Sequence, residues 1–336
     1  MLATMMNMEK HAIVLDVGSR YLKSGISGER SPRAVLRYDL AEKLLQTPPL
    51  SKAQWHDYMG GHLYRVCFHD LRVTPKNRRF VVCEDLLLPR NLREAIHDVV
   101  LLVFKAKHLL FVPATTTALY ATSHVTALIV DVGWLETRVL PVFERMPILS
   151  AYKTTGLASQ YACAGLKGYV QTRDTPVEDI LERACFVLPA SSEDLVVEDA
   201  EFFAYTPKAL TLPGAARHEC LEPLFTGTDE LISIPDVILD CLAKCPVDTR
   251  KALSENILCI GGTCMLPGFR ARLQSELQAE HTSARVVATA FPPNLMTWVG
   301  ASVYGSTSDA MAVSLSQTDY AAHPVVGDWM EIHKAP

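Results

Sequence analysis

No apolar run in the sequence is long enough to cross a bilayer. The longest purely apolar segments, such as Val99 to Phe104, fall far short of the roughly 20 residues a membrane helix needs. A block of like charge is missing too: 32 Lys and Arg stand against 37 Asp and Glu, a formal net charge of -5. That balance gives no electrostatic reason to expect nucleic acid or a membrane surface as a partner. C-x-x-C, H-E-x-x-H and G-x-S-x-G are all absent, and the eleven histidines are dispersed, which removes the commonest zinc and hydrolase signatures. The start, "MLATMMNMEKH", has neither a basic region before an apolar core nor a small-residue cleavage site. A soluble, cytoplasmic protein without a secretory leader is therefore expected.

Nine cysteines, an odd number scattered through apolar segments, suit reduced core thiols better than a disulfide framework. Cys241 and Cys245 lie four apart on an expected helix, and Cys259 and Cys264 flank a glycine turn; a zinc site would want tighter pairs, so both are read as core packing. The densest basic stretch, "RVTPKNRRF" from Arg72 to Phe80, reads as a solvated loop face. With 336 residues and 49% hydrophobic content, the chain can build two cores.

Its most informative feature is a repeat. "AIVLDVG" at 12 to 18 returns as "ALIVDVG" at 127 to 133, each an apolar strand that ends in an aspartate on a Val-Gly turn. Two such turns facing each other would bracket one ligand. Between them, "FVVCEDLLL" reads as a strand and Pro89-Arg90-Asn91 as a helix start. Asn91 is the expected N-cap there, with Glu94 three residues on and Leu92, Ile96, Val99, Val100 and Val103 at helical spacing. Thr175, Pro176 and Glu178 open another helix, and residues 189–233 read as a peripheral insertion. Helices follow over 233–244 and 247–254, then the strand of "NILCIGG", a helix from Phe269 to about His281, a strand "ARVVATAF" and a helix from Leu295 to Tyr304. Strands alternating with helices argue for an α/β core.

The turns carry the chemistry. After the first strand come Asp16, Gly18, Ser19 and Lys23; after the second, Asp131 and Gly133; and "GGT" at Gly261, Gly262 and Thr263 lets backbone approach a flat base closely. An aspartate on each strand can hold the water shell of Mg²⁺, and Lys23 can take phosphate charge. Arg20, however, sits where a close approach to phosphate favours glycine. It would either fill the phosphate position or lend its guanidinium to a held phosphate.

These turns, in this order on strand ends, resemble the actin, Hsp70 and sugar-kinase ATPase fold. Within that superfamily "DVGSRYLKSGISGERSPRAV", "HDLRVTPKNRRFVVCEDLLLPRNLRE", "LYATSHVTALIVDVG" and "AKCPVDTRKALSENILCIGGTCMLPGF" resemble actins over most of the chain, with weak stretches at about 35–65 and 187–235. The resemblance implies two related lobes around a nucleotide cleft, with the outer pointed-end subdomains reduced. The first lobe would run over 1–134 (shortened at about 35–65) and the second over 135–292 (shortened at about 187–235). Residues 293–336 would return to the first. It implies ATP or ADP with Mg²⁺ as a structural ligand, held near Asp16, Ser19, Lys23, Asp131 and Gly133, with Glu182 at the ribose and Gly261, Gly262 and Thr263 at the base. No direct metal ligand is expected; Asp16 and Asp131 would reach Mg²⁺ through water.

Departures from the actin pattern matter as much. Trp134 and Leu135 stand where the second loop of actin has Asp and Gly, and Leu181 and Gln317 where it has lysines assigned near the nucleotide. Ala114 aligns with the glutamine that positions the attacking water, and a methyl group cannot orient a nucleophile, so no catalytic residue is assigned and hydrolysis is expected to be lost or very slow. The mobile loop that actin inserts into its longitudinal neighbour is missing or replaced by "LSKAQWHDYMGGHLY". The resemblance thus extends to the pointed-end actin-related proteins of dynactin. It implies a filament cap with Asp248, Arg250 and Lys251 as filament-contact candidates, and actin-related filament subunits, dynactin pointed-end subunits and, indirectly, dynein as partners. An active ATP-hydrolysing actin-like protein and a nuclear subunit of a chromatin complex are the alternatives.

Overall fold

A computed structural model describes residues 11–170, 175–191, 195–203 and 209–324; the Met-rich start, residues 1–10, lies outside them. In chain order the main elements are β1 (Ile13–Val17), β2 (Tyr21–Ile26), β3 (Ala34–Arg37), α1 (Leu40–Leu44), α2 (Lys52–Arg65), β4 (Arg79–Glu84), α3 (Arg90–His97), β5 (His108–Pro113) and α4 (Ala114–Thr117). Then come β6 (Ala127–Val132), β7 (Thr137–Phe143), β8 (Met146–Pro147), β9 (Lys153–Thr155), α5 (Ser159–Tyr169), α6 (Val177–Ala184), β10 (Ala200–Phe202) and β11 (Leu210–Leu212). α7 (Ile234–Lys244), α8 (Val247–Ser254), β12 (Ile257–Ile260), α9 (Phe269–Glu280), α10 (Met296–Tyr304), β13 (Leu315–Ser316) and α11 (Gln317–Ala322) complete the set. The described residues form two compact units, 11–123 with 297–324, and those within 124–296.

In the first unit the sheet order is β13-β5-β4-β1-β2-β3. All five residues of β1 are buried, as an apolar run covered on both faces requires. It pairs parallel with β4 and antiparallel with β2. α2 and α3 pack together through Trp55, Met59 and Leu63 on one and Leu92 and Ile96 on the other. Ser51 and Gln54 form a reciprocal capping box at the start of α2. "LSKAQWHDYMGGHLY" is therefore not a substitute inserted loop: most of it is α2, a core helix. Only residues 38–51, carrying the short α1, connect β3 to it.

Three expectations shift here. α3 begins one residue before Asn91, with Pro89 as its N-cap, because proline's fixed φ already suits a helix entry. Beyond His97 the helix widens, Phe104 N–H bonding the Val99 carbonyl at 2.9 Å, and this phase slip turns Val103 outward to 56% exposure. In the basic stretch Arg72 and Lys76 are solvated, but Arg79 opens β4, is buried, and donates to the Gly305 carbonyl at 2.8 Å.

In the second unit the order is β12-β6-β7-β8, with β9 on the other end of β7. β6 repeats the environment of β1, with an antiparallel neighbour following it (β7) and a parallel one (β12) arriving later. Its core draws Leu166 from α5, Ile180 from α6, Ile238 from α7 and Leu273 from α9. α6 starts at Val177 behind Pro176, one residue later than Thr175 suggests. The insertion contributes the β10–β11 hairpin. "ARVVATAF" makes only one bridge, Val286 to Ile257, before the chain turns to place the Pro293 carbonyl on the Gly261 amide at 3.1 Å. All nine cysteines are free and buried, and no described helix is long and apolar enough to cross a membrane.

α10 locks the first unit. Trp298 is fully buried, its indole N–H donates to the Val14 carbonyl at 3.2 Å, and its ring packs against Gly25 where a Cβ would clash. Two residues on, Gly300 packs so closely that an added Cβ would run into the Thr117 carbonyl oxygen. In an open helix Gly300→Ala would gain about 1 kcal/mol; here overpacking against rigid backbone outweighs it. The variant should lose about 1–3 kcal/mol in denaturant unfolding.

His97 supplies a pH dependence. Burial, chiefly, lowers its pKa to about 4, with Nδ1 donating to the Arg93 carbonyl at 2.9 Å and the ring stacked on Phe111 at 4.6 Å. The imidazole is neutral in the fold, while the unfolded chain takes up a proton near pH 6.5. The fold should therefore lose about 3 kcal/mol as pH falls from 6.5 through 4. Urea titrations of His97→Phe should show that slope reduced.

Candidate functional site

In the first unit the site begins where β1 ends. Asp16 stands opposite Lys23 across the β1–β2 ladder, and Lys23 Nζ reaches its carboxylate at 2.7 Å, with the side chains 8% and 16% exposed. The intervening turn is tied down by the segment after β3. The Tyr38 hydroxyl donates to the Gly18 carbonyl at 2.7 Å, Ala41 N–H to Ser19 O at 2.8 Å and Tyr38 N–H to Arg20 O at 3.2 Å. Burial holds the Tyr38 phenol well above its usual pKa, so it stays a donor. Arg20 reaches Glu42 on α1 at 3.0 Å, a partner neither sequence alternative named.

Ala114 opens α4 directly after β5, half-buried. The hydroxyls of Thr116 and Thr117 fold back onto the Pro113 carbonyl, at 3.2 and 2.5 Å. Gln317 lies elsewhere: its amide bonds the Lys107 carbonyl at 3.0 Å beside β13, and β5 and β4 separate that edge from β1. Leu181 is buried on α6, packed into the core of the second unit.

The second unit gathers most of its expected residues. Asp131 stands opposite Arg138 across the β6–β7 ladder, 3.3 Å from its guanidinium, and Arg138 Nε also donates to Glu136 at 2.8 Å. The Gly133 amide closes the turn onto Glu136 O at 3.1 Å. Thr263, buried, donates to the Gly133 carbonyl at 3.1 Å, and its hydroxyl lies 2.5 Å from that of Ser159 at the start of α5. Gly261 has φ of 97°, and any Cβ there would run into the Val132 carbonyl and approach the Asp131 carboxylate. At Gly262 an added Cβ would meet nothing within 4 Å. Trp134 packs partly buried against this unit's core, which explains its tolerance in a loop where small residues would suffice. Glu182 is exposed on α6.

Of the filament-contact candidates, Arg250 is engaged internally, donating to the Cys245 and Ala243 carbonyls at 2.9 and 2.6 Å and so closing the end of α7. Asp248 and Lys251 are exposed on α8. Arg138, Tyr38 and Ser159 were not singled out from sequence. Arg138 had a signal: it follows Asp131 at the spacing by which Lys23 follows Asp16.

The Actin family model matches residues 54–183 and 182–326. The chain belongs to the actin family. It is similar to actin-related protein 10 of Dictyostelium discoideum, 24% identical over 412 aligned residues that cover 94% of this chain and 86% of that protein. The α/β architecture is accordingly that of an actin-type ATPase.

Actin-family folds imply a nucleotide with Mg²⁺, and the two components fare differently here. The open flank at Gly262 beside the tightly packed Gly261 suits a flat base, and Lys23 with the turn around Ser19 suits phosphate. The carboxylates suit a metal poorly, since each already holds a basic partner from its own unit. Thr263→Val keeps the shape but removes the buried hydroxyl between Ser159 and Gly133. It should destabilise the protein by about 1–3 kcal/mol in chemical unfolding, because partners lose a bond they cannot replace with water.

Proposed function

We propose that this actin-family protein is a non-catalytic structural subunit. Its role would be to cap the pointed end of a short actin-related filament of the dynactin type and to dock adaptor subunits for dynein-driven transport along microtubules. The observation that carries the reading is the shortened connection between β3 and α2. Residues 38–51 hold only α1, and Tyr38 and Ala41 bind it back onto the first loop. A segment fastened to its own unit offers nothing to insert into a further subunit, which is what a terminating subunit requires. Exposed Asp248 and Lys251 on α8 are the residues proposed to face the filament.

Ala114 argues against turnover, because a methyl group leaves an attacking water without an orienting partner. Ser19, Lys23, Gly133, Glu182, Gly261, Gly262 and Thr263 are proposed to hold ATP or ADP as a structural ligand, with Asp16 and Asp131 ordering the loops beside it, the nucleotide supplying phosphate charge and a base to pack against rather than a reaction. A cytoplasmic, cytoskeleton-associated location follows from this role.

Native purification of the tagged full-length protein from cytosol at moderate salt, followed by quantitative mass spectrometry, tests it. Stoichiometric actin-related filament subunits, dynactin pointed-end components and dynein are expected, with phosphate release from ATP at background. Recovery alone, or with chromatin-remodelling subunits, would sink the capping role; phosphate release that disappears on mutating Lys23 would sink the non-catalytic one.

A further inference from the structure

The internal repeat extends further than its two "DVG" turns. A basic residue follows each aspartate seven positions on, Lys23 after Asp16 and Arg138 after Asp131. In both units the chain makes a tight turn and runs back antiparallel, so that the register sets the base directly opposite the acid. The two pairs are close, at 2.7 and 3.3 Å, and the Asp131 and Arg138 side chains are each only 14% exposed, where solvent and salt screen them weakly. Glu136 takes the Arg138 Nε at 2.8 Å, fixing the guanidinium along the loop.

A divalent cation at the second loop would have to share Asp131 with this group. Mg²⁺ gives up its water reluctantly and is usually held by one or two carboxylates together with substrate phosphates. Arg138 is planar, bidentate and positive at every accessible pH, so it cannot yield its place by deprotonation. An incoming metal would meet a fixed positive charge on the carboxylate it needs. Asp131, Glu136 and Arg138 sum to one negative charge; without Arg138 they would sum to two.

We propose that Arg138 is an internal counter-cation that takes the place of a divalent metal at the second loop, so that the fold, and any nucleoside di- or triphosphate it holds, are independent of Mg²⁺. The assignment stands apart from the capping role and fails or survives separately from it. Lys23 neutralises Asp16 in the same manner, which leaves both strand-end aspartates with partners encoded in the chain.

The test is thermal unfolding of the full-length protein in EDTA and in millimolar MgCl₂, each with and without ATP. The wild-type midpoint is expected to move by less than about 1 °C between EDTA and Mg²⁺, and any shift produced by ATP should be the same in both. Arg138→Gln should unfold earlier in EDTA and recover about 2–4 °C in Mg²⁺, as a new site saturates. Arg138→Lys, which keeps the charge, should stay insensitive. Terbium gives a second readout: Trp134 would sensitise its emission at the loop, and Arg138→Gln should gain a signal that wild type and the Asp131→Asn/Arg138→Gln double variant lack. A wild-type midpoint that falls by several degrees on chelation, or retained nucleotide released by EDTA, would overturn the proposal. So would an Arg138→Gln protein that ignores Mg²⁺ and terbium. Should Arg138→Gln not fold, the wild-type chelation result alone decides.

Discussion

A carboxylate at the end of a buried strand has to be neutralised where it stands. β1 and β6 each finish on one, and both strands are apolar along most of their length because neighbours cover both faces. Leaving either acid without a partner would cost several kcal/mol, more than most single interactions return. The chain meets this constraint with the next strand: a short turn and an antiparallel return bring Lys23 onto Asp16 and Arg138 onto Asp131. The turn lengths, the register and the glycines that let the turns close all follow from that pairing.

Once the acids are settled internally, the loops can be held by the protein itself. Around the first, Tyr38, Ala41 and the Arg20–Glu42 pair take up three backbone carbonyls and the guanidinium that the turn presents. Around the second, Thr263 and Ser159 do the same for Gly133, while Gly261 presses against Val132. Isolated surface ion pairs contribute little, so the weight rests on the buried members of each set and on hydrogen bonds that exclude water.

The sequence revealed the apolar strands, the repeat and the glycine turn because these are local: an unbroken apolar run, a Val-Gly punctuation and a Gly-Gly pair each leave a mark within a few residues. The helices over 234–244, 247–254 and 269–280 were legible for the same reason, with a proline or glycine marking the boundaries. What escaped depended on distance in the chain. Val103 was misread because a widened helical turn does not alter composition. Arg250 looks like a free surface charge until α7 ends against it. Arg138 was missed although the +7 spacing was in plain view; its meaning appears only when Lys23 and Asp16 are seen to face each other across a ladder.

The departures from the actin pattern then form one argument rather than a catalogue of losses. In an ATPase the ligand contributes charges that order its loops, so the loops change when the ligand changes, and turnover becomes movement. Here the chain's own basic residues sit on both strand-end aspartates, and Ala114 offers only a methyl group where the actin pattern has a glutamine. Under the proposed capping role such a state would be an advantage, since a cap that altered with each hydrolysis would release the end it guards. Arg138 beside Asp131 and an apolar residue at the start of α4 lie in different elements, and both bear on the proposed non-catalytic role.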